Sequence, residues 1–253
     1  MEPGGHPHEP MRTATDSGGA GVDIEQRGFR DRHHAGQVLA DLLDHVRIRI
    51  TGTGTGTDPV VLALPRGGVP VAAVVAERLG APLDVFVARK LGAPGHEELG
   101  IGAIAEGSDH VLLTELAQQL HLTPGVLGPI VRRESEELRR RVWRYRGGQP
   151  PLPGVGVTGH DVVLVDDGLA TGVTAEAALR SLRRQRPRRL VLAVPICASD
   201  TACRLLDQRV ADEVVCAISS DRMAAVGAWY DDFAQTSDDE VLEVLGRFRT
   251  PLT

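Results

Sequence analysis

The sequence is poor in aromatic residues, which make up 3% of its 253 residues against 42% hydrophobic residues in all. Its core must therefore be built mainly from Val, Leu, Ile and Ala. Cysteine is scarce too: Cys197, Cys203 and Cys216 are odd in number and form no Cys-x-x-Cys pair. That argues against a disulfide framework or a zinc knuckle and suits a reducing cytoplasm. No apolar run approaches the roughly 18 residues of a membrane helix, and the N-terminus lacks the apolar segment of a secretory signal. An excess of basic charge is also missing. The net charge of −6 supplies no global positive field for nucleic acid.

The length suits one α/β domain with trimmings. Residues 1–26, rich in Gly, Pro, His and Thr without hydrophobic period, read as a disordered tail. Residues 27–245 read as the folded domain and 246–253 as a C-terminal tail. Phe29, Ala35, Val38, Leu39, Leu42, Leu43 and Val46 recur at helical spacing, with Asp31 as a plausible N-cap. The Thr-Gly repeat at 52–58 is a low-complexity loop without the glycine spacing of a dinucleotide fingerprint.

Strands and helices then alternate. Strand Val60–Leu64 precedes a helix over Val69–Leu79 closed by Gly80. A strand over Leu83–Ala88 ends in Arg89-Lys90, a loop covers Gly92–Gly100, and Ile101–Ala105 with Val111–Leu113 form a hairpin. A helix opens at Thr123-Pro124 and ends near Tyr145 before Gly147-Gly148. After a linker at 147–160 come strand Asp161–Val165, helix Thr174–Arg184, strand Leu190–Pro195, helix Asp200–Gln208 and strand Glu213–Ile218. This order predicts an α/β fold with a doubly wound, mainly parallel sheet and a small hood or hairpin. Ligands of such sheets sit at the carboxyl ends of the strands, near a switch in strand order.

One segment carries most of the chemistry. Four apolar residues, Val162 to Val165, lead into Asp166-Asp167. Gly168, Leu169, Ala170, Thr171, Gly172, Val173 and Thr174 then open a helix. The unpaired N–H groups and positive dipole end of a helix N-terminus suit a phosphate monoester. Gly172 allows close backbone approach, and Thr171 and Thr174 offer hydroxyl donors. Two carboxylates would repel that phosphate unless they face hydroxyl groups, and a sugar diol is their natural partner. A phosphate one sugar away from a vicinal diol describes ribose 5-phosphate.

This run resembles the 5-phosphoribosyl-1-pyrophosphate (PRPP) motif of type I phosphoribosyltransferases: an apolar strand, two acids, and a loop ending in Thr-Gly-x-Thr. The opening at Phe29–Ala40, the Pro65-Arg66-Gly67-Gly68 turn, the run at Ala88–Gly92 and residues 225–241 extend the resemblance over about 28–245. They are closest to bacterial phosphoribosyltransferases of unassigned substrate. The resemblance implies a loop at Pro65, Arg66, Gly67 and Gly68 that holds pyrophosphate, often with a non-proline cis peptide. It also implies Mg²⁺ as cofactor, touching Asp166 and Asp167 through water, and a mobile loop that closes over the site from around Gly92–Glu98.

Arg89 and Lys90 are candidates to neutralise the departing pyrophosphate, pointing to one edge if the sheet is parallel there. Catalytic roles fall to Asp166, Asp167, Lys90 and Arg66, while His96 reads as a surface histidine. Trp229, Tyr230 and Phe233 could stack on a planar acceptor or form the apolar face of a C-terminal helix. The arginines between Arg180 and Arg189 read as cations at a helix end, which argues against nucleic acid as a partner. The 124–146 helix reads as a solvated or subunit-contact face, as in a homo-oligomer. Expected partners are PRPP and a small-molecule acceptor, with no membrane. The competing readings are a non-catalytic PRPP-sensing regulator and a hydrolase that uses no acceptor.

Overall fold

The computed structural model describes Met11, Thr13 and residues 28–50, 59–152 and 156–249. The expected N-terminal tail (Met11 and Thr13 apart), the Thr-Gly repeat and residues 250–253 lie outside the described residues.

The elements run α1 (Arg32–Ile50), β1 (Val60–Ala63), α2 (Gly68–Leu79), β2 (Leu83–Val85), β3 (Ala88–Ala93), β4 (His96–Ala105) and β5 (Leu112–Leu113). Then follow α3 (Glu115–Gln119), α4 (Pro124–Arg146), β6 (Asp161–Val165), α5 (Val173–Arg184), β7 (Arg189–Ala198), α6 (Ser199–Asp207), β8 (Glu213–Ser220) and α7 (Asp238–Phe248). The central sheet has the order β2-β1-β6-β7-β8, parallel throughout. From β1 the chain winds outward to β2; from β6 it winds the other way through β7 to β8. The switch in strand order therefore falls between β1 and β6.

Continuous apolar runs form these strands because both faces of the sheet are covered. Successive side chains alternate between the faces. Val61, Ala63, Val163, Val165, Val191 and Ala193 join the layer built with α1, α2 and α7. Val60, Leu62, Val162, Leu164, Leu190 and Leu192 join the layer built with α5 and α6. Several expected ends are those observed: Gly80 and Gly147 close α2 and α4 in left-handed conformations. Asp31 caps α1 by accepting the His34 N–H at 2.7 Å. Helix α7 runs to Phe248, past the expected domain boundary at 245.

The region after β2 departs from the sequence reading. The strand expected over Leu83–Ala88 stops at Val85, and β3 begins a separate antiparallel sheet ordered β3-β4-β5. Most of the loop expected at Gly92–Gly100 is paired hairpin, with Gly92 opposite Gly100 and Ala93 opposite His96. Register shifts on both sides of Gly92 break the alternation that would have marked it as strand. The predicted hairpin into β5 is present, with Gly102 opposite Leu113 and Ala103 opposite Leu112.

Candidate functional site

The loop after β6 is fixed at several points. The Leu169 N–H donates to the Ile196 carbonyl at 2.8 Å, and the Ala198 N–H donates back to the Leu169 carbonyl at 2.8 Å. Leu169 is thus buried as an anchor beneath Gly168 and Ala170. The Thr201 hydroxyl donates to the Ala170 carbonyl at 2.7 Å, and Arg204 donates to the Thr171 carbonyl at 3.0 Å. Gly172 caps α5 with φ of +70°. The first bond of that helix runs from the Glu176 N–H to the Gly172 carbonyl. The N–H groups of Val173, Thr174 and Ala175 therefore have no intrahelical partner and mark the positive end of the helix dipole.

The loop after β1 lies against this one. The Pro65-Arg66 peptide is cis, and the Leu64 N–H donates to the Val165 carbonyl at 2.8 Å. A Cβ on Gly68 would stand 2.7 Å from the Val165 carbonyl oxygen. The two loops meet at the switch point, with Asp166 and Asp167 between them.

The carboxylates differ in their surroundings. Asp167 Oδ2 accepts from Arg32 Nε at 2.9 Å, with Nη2 at 2.8 Å. Asp166 Oδ1 accepts the Asp167 N–H at 2.9 Å. Burial, and then the neighbouring Asp167 charge, push the Asp166 carboxyl well above the usual range. Burial also raises Asp167, while the Arg32 guanidinium pulls it back down. Arg32 is the site residue that candidate selection from the sequence missed. Its signal was its place in the Phe29–Ala40 opening, and its target lies in a distant loop.

The candidate cations do not converge. Arg66 faces the start of α7, with Nη1 3.9 Å from Asp238 Oδ1. Arg89 and Lys90 sit inside antiparallel β3, so they point to opposite faces. Arg89 turns to α4, where Nε and Nη2 donate to Glu134 Oε2 at 3.0 and 2.6 Å. That corrects the expectation of a shared edge. Lys90 lies on the α5 side: a Cβ on Gly100 would meet its Cδ at 3.3 Å and Val173 Cγ1 at 3.8 Å. Its Nζ donates to the Glu98 carbonyl at 3.0 Å. His96 is exposed near the hairpin tip.

The aromatic trio does not line a helix. Trp229 ends a short 3₁₀ turn, and Tyr230 and Phe233 follow in extended and irregular chain. The Tyr230 ring is buried between Phe29 and Phe233, at centroid distances of 5.4 and 4.9 Å. Phe233 is covered by the Arg32 guanidinium, 3.9 Å from the ring centroid. Two of the three aromatics thus spend their faces on packing, and Trp229 is partly buried beside them. The Tyr230 hydroxyl donates to the Asp167 carbonyl at 2.7 Å.

The model of the phosphoribosyl transferase domain matches residues 33–232. The chain belongs to that family. It is similar to proteins from two strains of Mycobacterium tuberculosis that carry the name "Putative phosphoribosyl transferase", at 44% identity over 87% of this chain and 46% of theirs. The chain thus spans about half the length of the curated relatives it matches. It is also similar to a protein of known crystal structure from Thermus thermophilus, at 42% identity and a TM-score of 0.68, over 88% of this chain and 100% of that one.

Within this phosphoribosyl transferase domain the arginine-rich stretch is largely paired. Arg180 bonds Glu176, Arg183 bonds Asp212, Arg188 bonds Asp161 and Arg189 bonds Glu213. Arg184 donates to Ser108. These cations serve the fold at the end of α5. No described helix is long and apolar enough to cross a membrane. Among the described residues no three His, Cys, Asp or Glu side chains gather into a metal cage. Mg²⁺ usually takes one or two carboxylates, substrate phosphates and water, and the Asp166-Asp167 pair fits that mode.

Proposed function

We propose that the chain is a Mg²⁺-dependent phosphoribosyltransferase that binds PRPP and passes its 5-phosphoribosyl group to a small acceptor, possessing a nucleophilic nitrogen such as that of a nucleobase, with release of pyrophosphate. One observation carries this reading. Two N–H-rich loops meet at the strand-order switch with a pair of carboxylates between them, which matches one ligand bearing two anionic ends and a diol.

In this reading Gly168–Thr174 holds the 5-phosphate on the N-terminus of α5. The carboxylates Asp166 and Asp167 take the ribose side, directly or through metal-bound water. The turn Pro65, Arg66, Gly67 and Gly68 receives pyrophosphate through the N–H groups of Arg66 and Gly67, the Gly68 N–H being held by the Leu64 carbonyl. Lys90, whose Cδ packs on Gly100 on the side that Val173 also faces, would add positive charge near the ligand. Arg89 serves α4 through Glu134. When bound, Mg²⁺ would neutralise the pyrophosphate as a leaving group. The ribose C1–oxygen bond breaks, both electrons leave with pyrophosphate, and the acceptor lone pair forms the new C1 bond. The nucleophile's proton passes to water. Positioning and electrostatics supply most of the rate. The protein would act in the cytoplasm, which its free cysteines suit.

Calorimetric titration of PRPP with and without Mg²⁺, beside the Asp166→Asn/Asp167→Asn double variant, tests the ligand. Losing the two carboxylates should weaken binding by roughly 100-fold or more. Absence of wild-type binding at millimolar PRPP overturns the reading. Arg89 bears on the non-catalytic alternative: its engagement by Glu134 withdraws one cation from the leaving group. Pyrophosphate release from PRPP with nucleobases and amines as acceptors separates the two. Tight binding without release in any acceptor screen would favour a PRPP sensor, and release without an acceptor a hydrolase.

A further inference from the structure

We propose that Arg32 is a positioning residue that divides the two adjacent carboxylates, holding Asp167 as a strut between the Pro65–Gly68 loop and residues 225–234 and leaving Asp166 to take the ribose hydroxyls. The inference rests on the PRPP reading above and assigns its carboxylates unequal roles.

Each nitrogen of the Arg32 guanidinium has a partner. Nε and Nη2 converge on Asp167 Oδ2 at 2.9 and 2.8 Å. Nη1 donates to the Ala234 carbonyl at 2.7 Å, and the plane lies on Phe233 with Cζ 3.9 Å from the centroid. A planar fork can serve a carboxylate, a carbonyl and a ring face together, which an ammonium cannot. Asp167 is held at its other end as well, because its carbonyl accepts the Tyr230 hydroxyl at 2.7 Å. On the same edge that faces Arg32 the carboxylate abuts Gly67, whose Cβ, if present, would fall 2.6 Å from Asp167 Cγ and 3.2 Å from Arg32 Nε. Asp167 therefore touches α1, the 225–234 segment and the turn after β1 at once.

Asp166 is placed differently. Among the described residues no cation stands within ion-pair distance of it, and its carboxylate accepts from the Asp167 N–H at 2.9 Å. Both Arg32 bonds fall on Asp167 Oδ2, which leaves that carboxylate Oδ1 alone for a sugar, whereas no guanidinium occupies either oxygen of Asp166. The pair that looks equivalent in sequence is thus one ligand group and one structural group, and Arg32 makes the difference.

The test is a double-variant cycle read by calorimetric titration of PRPP with Mg²⁺. Asp166→Asn should lose the most affinity. Arg32→Gln and Asp167→Asn should each weaken binding by about tenfold, and the double variant should lose no more than either alone, because both break the same strut. Arg32→Lys should recover part of the loss by restoring the charge without the fork. Mere destabilisation would not give this non-additive pattern. If Arg32→Gln fails to fold, the ranking of Asp166→Asn against Asp167→Asn and the Arg32→Lys titration still decide.

Multiplying losses in the double variant, equal losses from the two aspartate variants, or wild-type affinity in a folded Arg32→Gln protein each overturn the inference while leaving PRPP binding intact. Failure of the wild type to bind PRPP removes the proposed function and this assignment together.

Discussion

The Oδ2 atom of Asp167 stands 1.9 Å from the point that a Cβ on Gly67 would occupy. No side chain fits there unless the carboxylate leaves Arg32 or the turn after β1 moves. Gly67→Ala should therefore cost about 1–3 kcal/mol as an overpacked contact and weaken PRPP binding at least about tenfold. Thermal melting and titration check this, and wild-type values in both would show that the two loops are not in contact as described.

Gly172 combines a φ of +70° with a close neighbour, since a Cβ would sit 2.5 Å from Thr201 Cγ2. Gly172→Ala should lose about 1–3 kcal/mol of stability and displace the first turn of α5. Inorganic phosphate and PRPP should both bind more weakly. Unchanged phosphate affinity would place the anion elsewhere.

Tyr230 offers a cleaner deletion. Burial, and then the Asp167 charge, push its phenol far above the usual range, so the hydroxyl stays protonated and donates to the Asp167 carbonyl. Tyr230→Phe keeps the ring packing and removes one bond, for a loss of about 0.5–1.5 kcal/mol. A melting temperature equal to that of the wild type would contradict the bond.

The paired surface of α4 predicts a pH dependence. Hydrogen bonding from Arg140, with Arg141 adding to it, holds the Glu137 carboxyl down at about 2 against an ordinary 4.5. A carboxylate depressed on folding stabilises the protein above its unfolded value and loses that contribution as pH falls through its folded one. Because the pair is partly solvated, the effect is at most about 1 kcal/mol. Melting of wild type and Glu137→Gln between pH 6 and 3 should show a small gap that narrows with acidification. A gap that stays constant would rule out the pairing as its source.

Ser237 caps α7 through a capping box with Glu240, its hydroxyl accepting the Glu240 N–H at 3.1 Å and its own N–H donating to Glu240 Oε2 at 2.6 Å. Ser237→Ala should cost about 1 kcal/mol. It should also loosen Asp238, which accepts from Tyr145 at 2.5 Å and faces Arg66. PRPP affinity should fall modestly with stability. A loss of stability with unchanged affinity would separate Arg66 from the site.

The central sheet was legible because most of its strands are apolar runs that alternate with helix patterns, some of them bounded by Gly80 or opened at Thr174. The Asp166–Thr174 loop was legible because its strand, acids, hydroxyls and helix are consecutive. What escaped has two causes. Gly92 and Gly100, with the register shifts around Gly92, interrupt the alternation of β3 and β4, so paired strands read as a loop. The partners of Arg32 and Arg89 lie 135 and 45 residues away, beyond any local pattern. Arg89 thus read as a ligand cation although Glu134 on α4 claims it, and Arg32 was passed over although it meets Asp167. The aromatic trio was found by composition alone, which says nothing of which ring faces packing consumes.

Arg32 touches Asp167 across 135 residues and Ala234 across 202. The contacts of Arg32 consequently close only when nearly the last part of the domain has left the ribosome. A nascent chain that has emerged only through β6 presents Asp166 and Asp167 side by side without the segment that completes Arg32's coordination. The coordination of Arg32 must wait for residue 234, and long-range closure of this kind is slow to make.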